Sequence, residues 1–68
     1  MRYLRARRRR HQLRLTIFEL AQICKVSALT VRLWERGLAT PNPAHRKALE
    51  RALGRSWDWL RAMERPHA

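Results

Sequence analysis

The sequence predicts an all-α protein, a compact bundle of five short helices. Three observations point there. Punctuation is sparse: Gly37, Gly54, Pro41, Pro43 and Pro66 are all the glycines and prolines in 68 residues. Between them Leu, Ala, Arg, Glu and Gln dominate, and these favour helix. No stretch alternates apolar and polar residues between turn signals, as a strand would.

Each helix has its own justification. A first, basic helix is expected over residues 3–13, with Leu4 and Leu13 facing inward and Ala6 and the stem of Arg10 between them. A second starts at a T-x-x-E capping box, Thr16 and Glu19, ahead of Leu20, Ala21, Ile23 and Cys24. The Thr hydroxyl accepts a free N–H there and the Glu reaches back to the cap. Ser27, a good N-cap, opens a third helix with Val31 and Trp34 on its inner face and Gly37 as its terminating C′ residue. Asn42 and Pro43 signal the fourth, over about 42–53, with Ala48, Leu49, Ala52 and Leu53 inward. Gly54 closes it, and Ser56 caps a last helix over about 56–64 carrying Trp57, Leu60 and Met63.

The length allows one small domain, taken as residues 1–68, and buries roughly 60% of the surface exposed when unfolded. A two-domain enzyme with a cleft between domains does not fit. Sixteen Lys and Arg against five Asp and Glu leave +11, which points to a polyanionic partner. The charge is concentrated: residues 1–14 hold seven arginines (Arg2, Arg5, Arg7, Arg8, Arg9, Arg10, Arg14) and no acid. Apolar runs are too short for a membrane span or a secretory signal. The lone Cys24 excludes an internal disulfide and a cysteine zinc site, fits a reducing cytoplasm, and reads as a small core residue. His11, His45 and His67 lack ligand spacing, so no metal is expected and they are placed at or near the surface. No nucleophile, base and orienter set and no glycine-rich phosphate loop occurs, so no cofactor and no enzyme activity are expected.

The stretch TIFELAQICKVSALTVRLWERGLATP, residues 16–41, resembles the phage-repressor type of helix-turn-helix, the Cro/repressor or XRE family. Thr16, Glu19, Leu20, Ala21, Val26, Ser27, Thr30, Val31, Trp34, Glu35, Arg36, Gly37 and Pro41 carry the frame. Pro43, Ala52, Leu53, Gly54, Ser56, Asp58 and Leu60 are similar to the family's fourth and fifth helices. The helix-turn-helix itself falls at about 16–36. Physical reasoning supports the frame: Ala21 is small where two helices meet steeply, Val26 plugs their corner, and Val31 and Trp34 pin the third helix. Two departures stand out. Lys25 and Arg14 occupy positions where the family uses glycine, and a non-glycine residue held at positive φ costs about 1–2 kcal/mol.

The resemblance implies a lambda-repressor-like domain that binds double-stranded DNA as a transcriptional regulator, most commonly a repressor and a homodimer. It places the third helix in the major groove. The residues for base contact are then Ala28, Leu29, Thr30, Arg32, Leu33 and Arg36. Of these only the arginines can contact guanine with two bonds, while Ala28, Leu29 and the Thr30 methyl suit thymine methyls. Phosphate contacts fall to Arg7, Arg8, Arg14, Thr16, Ile17, Phe18, Lys25, Ser27 and Thr40, with the free N–H groups of Ile17 and Phe18 forming an anion site at the second helix. The family commonly ties its first helix to the end of its third by an ion pair, for which Arg10 and Glu35 are the candidates. Trp57 and Trp59 cannot share a helix face, so one closes the core and the other, with Met63, is a candidate dimer contact. A bacterial or phage cytoplasm, at the nucleoid, is the implied location, with no small-molecule effector evident. Two other readings stay open. A partner-binding module, such as the antitoxin of a toxin–antitoxin pair, would use the apolar third-helix positions. A MerR- or excisionase-like protein would share VSALTVRLWERGL.

Overall fold

The computed structural model describes residues 2–64; His67 lies outside them. The elements are α1 (Arg5–Gln12), α2 (Ile17–Cys24), α3 (Ala28–Glu35), α4 (Pro43–Leu53) and α5 (Trp57–Leu60). Among the described residues there is no strand, only an isolated antiparallel bridge between Leu4 and Met63, and no helix is long and apolar enough to cross a membrane.

Four of the five helix starts are made by side chains of the right chemistry. Glu19 N–H donates to Thr16 Oγ1 (3.0 Å) and Thr16 N–H to Glu19 Oε1 (2.8 Å), a complete capping box for α2. Ser27, Asn42 and Ser56 accept from Thr30, His45 and Trp59 in the same way at α3, α4 and α5. These bonds satisfy backbone donors that a helix leaves free at its start. Lys25 takes the left-handed conformation (φ 58°) that ends α2, and Arg14 does so (φ 57°) in the turn before Leu15. Both glycine substitutions noted in the sequence therefore sit at strained backbone.

The core is Leu4, Ala6, Leu20, Ala21, Cys24, Val31, Trp34, Leu49, Leu53 and Leu60. It draws on every helix, so each element is held by apolar burial that none could achieve alone. Val26 packs against this core from the corner between α2 and α3, and the Trp34 ring lies 5.4 Å from that of His45 at 46°.

Three sequence expectations need correction. Leu13 does not face inward; it is 39% exposed, because α1 stops at Gln12 and the left-handed Arg14 turns the chain. Leu15 packs against the core in its place. The first helix starts at Arg5 rather than residue 3, behind an extended Leu4. The last helix ends at Leu60 rather than residue 64. Both shortenings accompany one arrangement: residues 3–5 bond to residues 62–64 and to the end of α3. Leu4 N–H donates to Glu35 O (2.7 Å), Arg5 N–H to Ala62 O (2.8 Å) and Glu64 N–H to Tyr3 O (2.7 Å). The two end segments thus lie over the C-terminal end of α3. Gly37 has φ +72°, a conformation that glycine adopts without strain, and a Cβ there would have to push aside the Met63 Cε, 2.7 Å away.

Candidate nucleic-acid interface

Residues 25–27 join α2 to α3, with Ser27 as cap. Val31 and Trp34 hold the inner side of α3 in the core, which leaves Leu29, Arg32, Leu33 and Arg36 on its outer side. These four line one open groove of about 570 Å³ together with Tyr3, Arg7, Arg10, Ile17 and Glu35. Residues from α1, from the start of α2 and from the whole outer side of α3 therefore meet on one surface.

The arginine run of α1 does not act as a unit. Consecutive helix residues step about 100°, so each arginine finds a different partner. Arg7 faces the groove with its guanidinium 4.0 Å from the centroid of the Tyr3 ring. Arg8 points elsewhere: its Nε lies 2.9 Å from Glu64 Oε1, an ion pair though not aligned as a hydrogen bond. Arg9 donates from Nε to Leu53 O (2.8 Å), at the C-terminal end of α4. Arg10 is buried and donates from Nε to Glu35 Oε2 (2.7 Å), from Nη2 to Glu35 Oε1 (3.1 Å) and from Nη1 to Leu15 O (3.0 Å). The first helix, the end of the third and the entry to the second are tied at one guanidinium.

The remaining candidates divide similarly. Leu29 is 63% exposed. Ala28 instead packs against the core, and the Thr30 hydroxyl lies 3.0 Å from Ser27 Oγ within the α3 cap. Ile17 is half-buried in the groove, whereas the Phe18 ring is 67% exposed beside it in sequence. Arg14 and Lys25 are exposed on their turns. Thr40 lines a separate hollow with Leu4, Gly37, Ala39, Trp57, Arg61 and Met63, away from the α3 groove. Trp57 and Trp59 both pack against the core, and Met63 is 44% exposed. Tyr3 is the groove residue that the sequence reading missed. The only signal for it was an aromatic four residues before an arginine, which neighbours on α1 would share had the helix begun earlier.

Electrostatics mark the same side of α1. His11 is held below its ordinary pKa by partial burial and then by the positive charges of Arg10 and Arg7, against the opposing pull of Glu35. Glu19 is held below the usual carboxylate range by its hydrogen bonds with Thr16, the backbone N–H first. Burial raises the Cys24 thiol, which keeps it protonated and unreactive.

A helical bundle with a short-turned helix pair, whose second helix turns a basic and apolar outer side to solvent, defines a helix-turn-helix protein. A helix-turn-helix family model matches residues 4–60, and the chain belongs to that family, of the Cro/repressor (XRE) type. At family level it is a DNA-binding protein of the transcription-regulator class. No curated protein and no solved structure gives a significant match.

Proposed function

We propose that the protein is a sequence-specific regulator, acting as a repressor, that inserts α3 into the DNA major groove. The observation that supports this best is the shared surface of Leu29, Arg32, Leu33 and Arg36 beside Arg7 and the start of α2. Arg32 and Arg36 supply guanine contacts and Leu29 a thymine-methyl contact. Arg7, Arg14, Lys25 and the N–H groups of Ile17 and Phe18 hold phosphates, which set register and orientation rather than sequence. This reading leaves out Arg8, which pairs with Glu64, and Thr40, which lines the separate hollow; Ala28 supports α3 through the core and Thr30 through the cap.

A homodimer fits the hollow lined by Trp57, Gly37 and Met63 better than the Trp59 side. Met63 is exposed there, whereas the Trp59 ring has the guanidiniums of Arg5 and Arg55 close to it, at 5.3 and 4.9 Å. A protein partner is a second reading, favoured by the exposure of Leu29 in the α3 groove and of Phe18 at the start of α2.

Selection from a random duplex pool near physiological salt, with competitor DNA, tests the proposal. An enriched palindrome with half-sites about one helical turn apart is the expected result. Binding without enrichment would reduce the α3 surface to non-specific attraction and move the apolar positions to the protein partner.

A further inference from the structure

We infer that the side of α1 turned away from Arg7, where Arg5, Arg9 and Arg55 gather at Trp59 and the end of α4, takes the phosphate backbone of a second DNA duplex. The inference rests on the α3 surface holding the first. Arg5 and Arg9 are one helical turn apart and share a side, while Arg7, two residues from each, points the other way. The guanidinium carbon of Arg5 lies 5.3 Å from the Trp59 ring centroid and that of Arg55 lies 4.9 Å from it. Arg9 is fixed beside them by its bond to Leu53 O, and its Nη2 would lie 3.5 Å from a Cβ on Gly54. Three guanidiniums from α1 and from the turn between α4 and α5 are thus gathered at one end of the bundle.

These cations lack acidic partners among the described residues. The ion pairs there are Arg8–Glu64 and Arg10–Glu35. Glu50 and Asp58, the acids nearest in sequence to Arg55, line a different hollow with Arg46 and Lys47. The negative end of α4 offsets about half a charge, well short of three. Attraction to the indole holds the Arg5 and Arg55 guanidiniums in place without using their N–H donors, which suit phosphate, while Arg9 spends Nε on Leu53 O and Nη1 on Gln12 Oε1 and keeps its remaining donors.

The same facts select the occupant. A second copy meeting this patch symmetrically would set the arginines against themselves. The first duplex approaches α3 on the Arg7 side of α1, and DNA is stiff over about 150 base pairs, so it does not fold round to the other side. Arg5, Arg9 and Arg55 are distinct from Arg7, Arg14, Lys25, Arg32 and Arg36, so this patch carries positive charge of its own. A second phosphate backbone matches it.

The test is a bridging assay with the full chain. Beads carry one duplex, and a fluorescent duplex of unrelated sequence is offered after protein is loaded. Wild-type protein captures the second duplex. Arg5→Gln with Arg55→Gln keeps first-duplex affinity within about twofold and lowers capture about tenfold, as expected for lost phosphate contacts. Circular dichroism monitors the fold, and Arg55→Gln alone replaces the double variant if that one melts below the assay temperature. Undiminished capture overturns the inference and assigns bridging to a dimer's two α3 surfaces. An equal fall in both affinities also overturns it, as does capture that persists while polyglutamate binding is lost, which would assign the patch to an acidic protein. The α3 reading fails separately, through an Arg32→Ala variant whose base preference is unchanged.

Discussion

Arg10 and Glu35 face each other as a two-point ion pair, Nε to Oε2 at 2.7 Å and Nη2 to Oε1 at 3.1 Å, with both side chains buried. The pair joins α1 to the last turn of α3 and so sets how the outer side of α3 is presented. Removing one partner leaves a buried charge alone. Arg10→Ala is expected to cost about 3–5 kcal/mol in urea denaturation, whereas Arg10→Met with Glu35→Leu should come out near neutral. A loss below about 1 kcal/mol for Arg10→Ala would mean that apolar packing alone holds the two helices.

Lys25 and Arg14 hold the left-handed conformation with side chains that disfavour it. Glycine at either site relieves about 1–2 kcal/mol of strain and gives back part of that through the freer unfolded chain. Lys25→Gly should therefore raise stability by about 0.5–1 kcal/mol, read as a higher denaturation midpoint at unchanged slope. The same variant should weaken DNA binding if the ammonium contacts phosphate, so the two properties move in opposite directions.

Neighbouring arginines should behave differently in DNA binding. Arg7 faces the α3 groove and Arg8 pairs with Glu64. Arg7→Gln is expected to weaken binding to all sequences and lower the salt slope by about one, and Arg8→Gln to leave the slope unchanged. Titrations at several salt concentrations separate them, and equal slopes for both variants would contradict the placement.

Arg32 stands on the outer side of α3 with Leu29 and Arg36. Arg32→Ala should relax preference at one or two base pairs and cost about 1–3 kcal/mol there. Repeating the duplex selection with this variant is the check, and an unchanged motif would remove Arg32 from recognition.

The α2 cap should titrate. Glu19 has its folded pKa lowered by its bonds with Thr16, so its contribution is fully present above the ordinary carboxylate value, about 4.3. It is lost as pH falls through the lowered folded value. Glu19→Gln can keep the box but cannot titrate. The melting temperature of wild type should therefore fall relative to Glu19→Gln as pH drops from about 4.3 through the lowered folded value. Parallel curves would show that the carboxylate charge adds nothing to the cap.

Much of the fold was legible before any coordinates because its signals are local. Thr16 with Glu19, Ser27, Asn42 with Pro43, and Ser56 act on backbone groups within three residues of themselves, so sequence alone determined where four helices begin. The family frame likewise places Arg10 opposite Glu35, and Lys25 and Arg14 where glycine is usual. Tertiary structure alone decided the rest. Four consecutive arginines look equivalent in sequence, yet the helical step sends them to four sides, and what waits there comes from distant segments: Tyr3, Glu64, Leu53 and Glu35. The pairing of Leu4 with Met63, which accompanies the shortening of both end helices, joins opposite ends of the chain and has no local signature. The contacts of the Trp59 ring with Arg5 and Arg55 are of the same kind, since cation–π contacts depend on what packing brings together.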